Sequence, residues 1–151
     1  MKLFIAADHK GLKFKGEVIE YLKENGINTE EIGLENYELD DYTDFAFKLG
    51  ELVASTKDSI GILICGNGVG MSIAANKVKG IRAVRAVSVD DAFKGKHHNG
   101  ANVLCLGSDL NIKTAQDIID MFLATKSASV DRYLRRIDKI IKYENGEYNE
   151  L

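Results

Sequence analysis

Apolar runs alternate along the whole chain with stretches in which apolar residues recur every three or four positions. The runs at 3–7, 60–65, 81–87 and 103–106, and a weaker one at 29–32, predict five strands. Between them the spacing predicts helices. One covers 13–24, where Phe14, Val18, Ile19 and Leu22 share a face and Asn25-Gly26 ends the pattern. Others cover 43–54, 69–77 (ending near Gly80) and 90–96, and two closing helices cover 111–125 and 130–143. A polar loop joins the weak strand to the second helix. Strands alternating with helices imply a parallel sheet with crossover helices, hence a three-layer α/β/α, Rossmann-like fold with a five-stranded parallel sheet and a C-terminal helix. No proline-rich, linker-like or low-complexity stretch divides the chain, so residues 1–151 read as one domain.

In open sheets of this kind ligands gather at the carboxyl ends of the strands. That rule selects Asp8-His9, Cys65-Gly66-Asn67-Gly68 and Gly107-Ser108, with His98-Asn99 just ahead of the fifth strand. All three histidines and one of the two cysteines are expected in loops or at strand termini.

Composition narrows the field. A chain of 151 residues, 45% hydrophobic and 28% charged, suits a globular protein with one sizeable core. Its longest apolar runs are about six residues, against roughly 20 for a membrane span. No broad basic face offers itself to nucleic acid at a net charge of −3. The local exception is the cationic C-terminal segment with Arg132, Arg135, Arg136, Lys139 and Lys142. The first residues form no signal peptide, so a cytoplasmic location is expected, and Cys65 and Cys105 are not expected to form a disulfide.

Cys65 ends a strand and is followed by Gly66, Gly68 and Gly70. A thiol aimed at the start of the next helix has its thiolate stabilised by nearby N–H groups and can act as base or nucleophile. The alternative is a strand cysteine packed as a small hydrophobe, the reading preferred for Cys105. The glycine loop, with Val69 opening the helix, can hold phosphate, carboxylate or an enediolate on bare amides, although a tight strand-to-helix turn explains it equally well. It lacks the Gly-Lys-Ser/Thr of a Walker loop and the acidic partner of a dinucleotide site. His9 and His98 suit proton transfer. The His and Cys spacing matches no zinc pattern, so no metal is expected. Arg132 and Arg136, one helical turn apart, can grip one phosphate, or else pair with Asp131 or Asp138.

Together these residues resemble the ribose-5-phosphate isomerase B family, which includes galactose-6-phosphate and allose-6-phosphate isomerases. The likeness runs through Asp8-His9, Asp41-Tyr42, the stretch 61–77, Gly80-Ile81-Arg82-Ala83, His98-Asn99, 101–104 and Arg132 with Arg136. It implies a cofactor-free aldose–ketose isomerase, first of all for ribose 5-phosphate and ribulose 5-phosphate. A six-carbon sugar phosphate (allose or galactose 6-phosphate) is the alternative substrate, and a non-catalytic sugar-phosphate-binding module the alternative class. A flavodoxin-like redox role is a weaker option, given the lack of tryptophan.

The resemblance implies that Cys65 removes the C2 proton, that His98 helps open the sugar ring, and that the loop amides of Gly66, Gly68, Val69 and Gly70 hold the enediolate. Asp8 and Asn67 join the catalytic set. His9, Arg132 and Arg136 take the phosphate, with Tyr42 and Asn99 also binding substrate. It further implies a site built across a homodimer interface, or a dimer of dimers. Asn67 stands where the family usually has Thr or Ser, Asp109 where many members have arginine, Tyr133 where histidine is common, and Thr43 where proline is usual.

Overall fold

The structure, a computed structural model, describes residues 1–33 and 41–150. Five strands, β1 (Lys2–Ala7), β2 (Glu30–Glu31), β3 (Ser59–Cys65), β4 (Ala83–Arg85) and β5 (Val103–Gly107), form one sheet in the order β2-β1-β3-β5-β4. Every pairing is parallel. Six helices accompany them: α1 (Leu12–Glu24), α2 (Tyr42–Ser55), α3 (Val69–Ala75), α4 (Val89–Asn99), α5 (Ile112–Ala124) and α6 (Asp131–Glu144).

The continuous apolar runs of β1, β3 and β5 are buried on both faces, as parallel strands covered by helices must be. Leu3, Ile5, Ile62, Ile64, Leu104 and Leu106 pack one way, against Phe14, Val18 and Leu22 of α1 and Ile118, Ile119 and Phe122 of α5. Phe4, Ala6, Leu63, Cys65, Val103 and Cys105 pack the other way, against Phe45, Leu49 and Val53 of α2 and Met71, Ala74 and Ala75 of α3. This alternation produces the expected three layers. Helix α6 lies outside them beside α4, and of its residues only Tyr133, at 9% exposure, is buried.

The sheet reverses its winding between β1 and β3. After β1 the chain adds β2 on one side, then crosses to add β3 on the other, so a crevice opens between the carboxyl ends of β1 and β3. Asp8-His9 and Cys65-Gly66 flank that crevice.

Several elements differ from the sequence reading. The weak strand shrinks to Glu30–Glu31, and the polar loop after it lies outside the described residues. Strand β4 is three residues rather than seven. It is an edge strand, and side-chain amides replace ladder bonds at its start: Asn76 bonds the N–H and C=O of Ala83, and Asn102 Oδ1 accepts from Arg82 N. Helix α3 stops at Ala75. Helix α4 runs three residues further than expected, because Gly100, in the left-handed region at φ 60°, supplies the C-terminal cap. His97 and His98 therefore sit in the last turn of a helix, not in a loop, which corrects the expectation that all three histidines lie in loops or at strand ends.

Candidate active site

The β1–α1 turn is organised by Asp8, which is 5% exposed. Its Oδ1 accepts from the amides of Lys10 (3.1 Å) and Gly11 (3.2 Å), an Asx-type turn that fixes where His9 leaves the sheet. Asp8 thus has a structural task alongside its place at the crevice. Cys65, the last residue of β3 and also 5% exposed, lies opposite Gly107 of β5. Its Sγ accepts the N–H of Gly68 at 3.2 Å.

The loop after Cys65 is held from several sides. The carbonyls of Cys65 and Gly66 accept from the amides of Ser108 (2.8 Å) and Asp109 (3.2 Å). Asn67 Oδ1 accepts from Val69 N at 3.0 Å, so its amide oxygen is committed to the turn while its NH₂ remains a donor. Gly68 has φ 77°, and a Cβ there would stand 3.1 Å from the carbonyl carbon of Leu106, so both conformation and space require glycine. Gly70 has no side chain because the ring of Tyr42 lies against it. The amides of Gly66, Asn67 and Gly70 make no hydrogen bond among the described residues, which leaves three donors near the thiol. With seven residues, α3 is a short source of dipole, and the individual N–H of Gly68 is what meets the sulfur.

A cleft of about 280 Å³ is lined by Asp8, His9, Lys10, Asp41, Tyr42, Cys65, Gly66, Asn67 and Gly70. It is smaller and more polar than the groove of about 730 Å³ between α6 and the β4 side of the molecule, and it brings Cys65, His9 and Asp8 together. Cys105 does not line that cleft. It is fully buried in β5, and burial first, then the nearby Cys65, pushes its thiol well above the ordinary range. Both cysteines are free. Among the described residues no group of three or more His, Cys, Asp or Glu side chains is placed to hold a metal ion, and no helix is long and apolar enough to cross a membrane.

The remaining sequence candidates lie elsewhere. Strand β5 runs from Val103, beside the end of α4, to Gly107, beside Cys65, a rise of about 13 Å. Arg82 at the start of β4 donates through Nε to the carbonyls of Asn99 (3.1 Å) and Gly100 (3.0 Å), which fixes the end of α4 at the amino edge of the sheet. Burial lowers the Arg82 pKa from its ordinary value, and Glu144 opposes that shift. His98 stacks on Tyr133 at 4.6 Å between centroids, and Arg132 lies over the same ring with Nη2 donating to its hydroxyl at 2.8 Å. Arg132 and Arg136 are exposed on α6, and Asp138 pairs with Lys142 rather than with either arginine.

One protomer therefore gathers Asp8, His9, Tyr42, Cys65 and the glycine loop at the carboxyl edge, and holds His98, Asn99, Arg132 and Arg136 at the amino edge. Two residues near the loop escaped the sequence reading. Lys10 lines the cleft, and its stem packs beside Gly66. Arg85 donates through Nε to the Asn67 carbonyl at 2.8 Å. Arg85, one of two arginines in the strand run 81–87, was the available signal for the second.

Comparison with known proteins places this arrangement. A family model described as Ribose/Galactose Isomerase matches residues 3–140. A Mycoplasma genitalium protein described as a probable ribose-5-phosphate isomerase B is 45% identical over 149 residues, covering 94% of this chain and 95% of that one. The crystal structure of ribose-5-phosphate isomerase B from the same organism, with bound ribulose-5-phosphate, superposes with a TM-score of 0.87 at 44% identity, covering 95% of this chain and 96% of that one. Ribose-5-phosphate isomerase B of Clostridium thermocellum gives a TM-score of 0.89 at 38% identity, with 98% and 100% covered.

Proposed function

The chain belongs to the Ribose/Galactose Isomerase family, and from that premise we propose that it interconverts ribose 5-phosphate and ribulose 5-phosphate, with Cys65 as the base that moves the C2 proton. The observation that carries the assignment of the base is the Cys65 sulfur. It ends a buried strand, accepts one loop amide, and borders the cleft beside His9 and Tyr42.

In the open-chain aldose the C2 proton is acidified by the C1 carbonyl. Cys65 takes it as thiolate, the electron pair moves into the C1–C2 bond, and O1 gains the negative charge of the enediolate. The free amides of Gly66, Asn67 and Gly70 are donors for that oxygen, preorganised by the bonds that hold the loop. The thiol returns its proton to C1 while the O2 hydroxyl proton passes to O1, which leaves a ketone at C2. A positioned base of this kind contributes roughly 10²–10⁴-fold. The Asn67 NH₂ can steady O1 or O2 by donation, and solvent can carry the proton between them.

Ring opening by His98 and phosphate capture by Arg132 and Arg136 need those groups beside Cys65, so we assign them to the Cys65 of a second copy. Support comes from the opposite ends at which the two sets lie and from apolar side chains left exposed near each. Val69 and Ile73 are exposed on α3, and Leu134, Ile140 and Ile141 on α6. A homodimer, or a dimer of dimers, completes each site from two protomers, with His9 of one and the arginines of the other taking the phosphate. A cytoplasmic setting suits the two free thiols.

The deciding experiment incubates ribose 5-phosphate with the protein in deuterated water. Incorporation of deuterium at C2 of the aldose and C1 of the ketose is expected. Binding of the sugar phosphate without exchange would leave a binding module and remove the enzyme.

A further inference from the structure

We propose that Arg85 is a positioning residue for Cys65, acting through the single peptide unit that joins Asn67 to Gly68. The Nε–H of Arg85 donates to the carbonyl oxygen of Asn67 at 2.8 Å. The N–H of Gly68 donates to Cys65 Sγ at 3.2 Å. These two groups are opposite ends of one peptide, which is trans, so its C=O and N–H point in opposite directions and share one resonance system. A cation hydrogen-bonded to the oxygen draws electron density toward it and leaves the N–H a stronger donor. Negative charge on the sulfur is thereby steadied by a guanidinium that need not touch it.

The surroundings single out this peptide. The carbonyls of residues 65, 66 and 67 are all tied down, the first two by neutral amides of Ser108 and Asp109, the third by the only charged donor of the three. Only the third peptide turns its N–H to the sulfur. Arg85 makes no ion pair among the described residues, so no carboxylate there neutralises its charge. It stands opposite Cys105 in the β4–β5 ladder, two positions short of Gly107, and reaches past the end of β5 to the loop. The Asx turn at Asn67 and the left-handed Gly68 keep the peptide from rotating away.

This inference rests on the isomerase reading for its meaning, but two of its readouts are independent of turnover. Arg85→Gln and Arg85→Met remove the charge while keeping a side chain of similar reach, and Arg85→Lys restores a cation. Three quantities are measured on each variant and on the native protein: kcat and KM for ribose 5-phosphate, the rate at which iodoacetamide alkylates Cys65 at pH 7 followed by mass spectrometry, and the amide proton shift of Gly68. The neutral variants are expected to lower kcat and the alkylation rate together by about fivefold with KM held within about twofold, as loss of a charge-assisted bond predicts. The Gly68 proton moves upfield, and the lysine variant recovers part of each change. Two results overturn the proposal: an unchanged alkylation rate and Gly68 shift with a raised KM, which makes Arg85 a direct substrate contact, or no change in any quantity. Should one neutral variant fold poorly, the other carries the comparison. Should the protein show no C2 exchange at all, the alkylation rate and the Gly68 shift still decide the relay.

Discussion

At the carboxyl edge of the sheet the loop after Cys65 is tied by the amides of Ser108 and Asp109, the Asn67 side chain and Arg85, all from the same chain. At the amino edge, α6 carries Arg132 and Arg136 on exposed positions and meets the body of the molecule chiefly through Tyr133 and the Glu144 bond to Gly80 N. The first region is finished when the chain has folded. The second has cations and an imidazole, and Arg132, Arg136 and His98 line neither the cleft at Cys65 nor the groove between α6 and the β4 side. The contrast teaches that preorganisation, which the chemistry at C2 demands, was built locally. In the proposed dimer, phosphate capture, which needs only charge at a suitable place, falls to groups that a second copy delivers.

Substitutions at the two edges should separate in their kinetic signatures. Cys65→Ala is expected to reduce kcat by roughly 10²–10⁴-fold with little change in substrate affinity, measured by C2 exchange and by calorimetric binding. Preserved turnover would move the base elsewhere. Arg136→Ala removes a charge-assisted contact to phosphate and is expected to raise KM by about tenfold or more with a much smaller change in kcat. An unchanged KM would take the phosphate away from Arg136.

Gly68→Ala tests the rigidity of the loop itself. The left-handed conformation costs an alanine roughly 1–2 kcal/mol, and the approach to Leu106 adds strain, so scanning calorimetry should show a Tm lower by a few degrees. An unchanged Tm would mean that the loop relaxes freely.

The smallest effect belongs to the start of α4, whose far end carries His98. Ser88 Oγ accepts from Asp91 N at 3.2 Å and Asp91 Oδ2 accepts from Val87 N at 3.0 Å, a reciprocal cap, and Ser88→Ala should cost about 1 kcal/mol in chemical denaturation. The Val87 amide, with further help from Ser88 and Lys94, holds the Asp91 carboxyl below the usual range against its own desolvation. Because the folded value is the lower one, this contribution is complete above about pH 4 and fades as pH falls through the folded value. Denaturation of native protein and Asp91→Asn at pH 7 and in acid checks this: the gap between them should close in acid.

Much of this was legible in the sequence because it is local. β1 and β3 read directly from runs that are apolar on both faces, and Cys65 with its glycines declared a strand-to-helix loop. The left-handed Gly68 and the bonds from Ser108 and Asp109 depend on β5 lying beside β3, which no single run states. The end of α4 was misjudged because two histidines and an asparagine look like loop residues, whereas the stop is Gly100. Residues 65 and 98 both looked like strand-end chemistry. Their separation emerges only from the direction of α4, which leaves the carboxyl edge and returns to the amino edge. Arg85 was overlooked because its role comes from reach across the sheet, whereas Lys10 follows His9 directly and meets Gly66 because β3 lies beside β1.

The shared site can be tested by mixing two inactive proteins. Cys65→Ala and His98→Ala protomers, unfolded together and refolded as one population, are expected to regain about a quarter of native activity, since half the dimers are mixed and each mixed dimer holds one intact site. A mixture no more active than its separate parts would contradict the account.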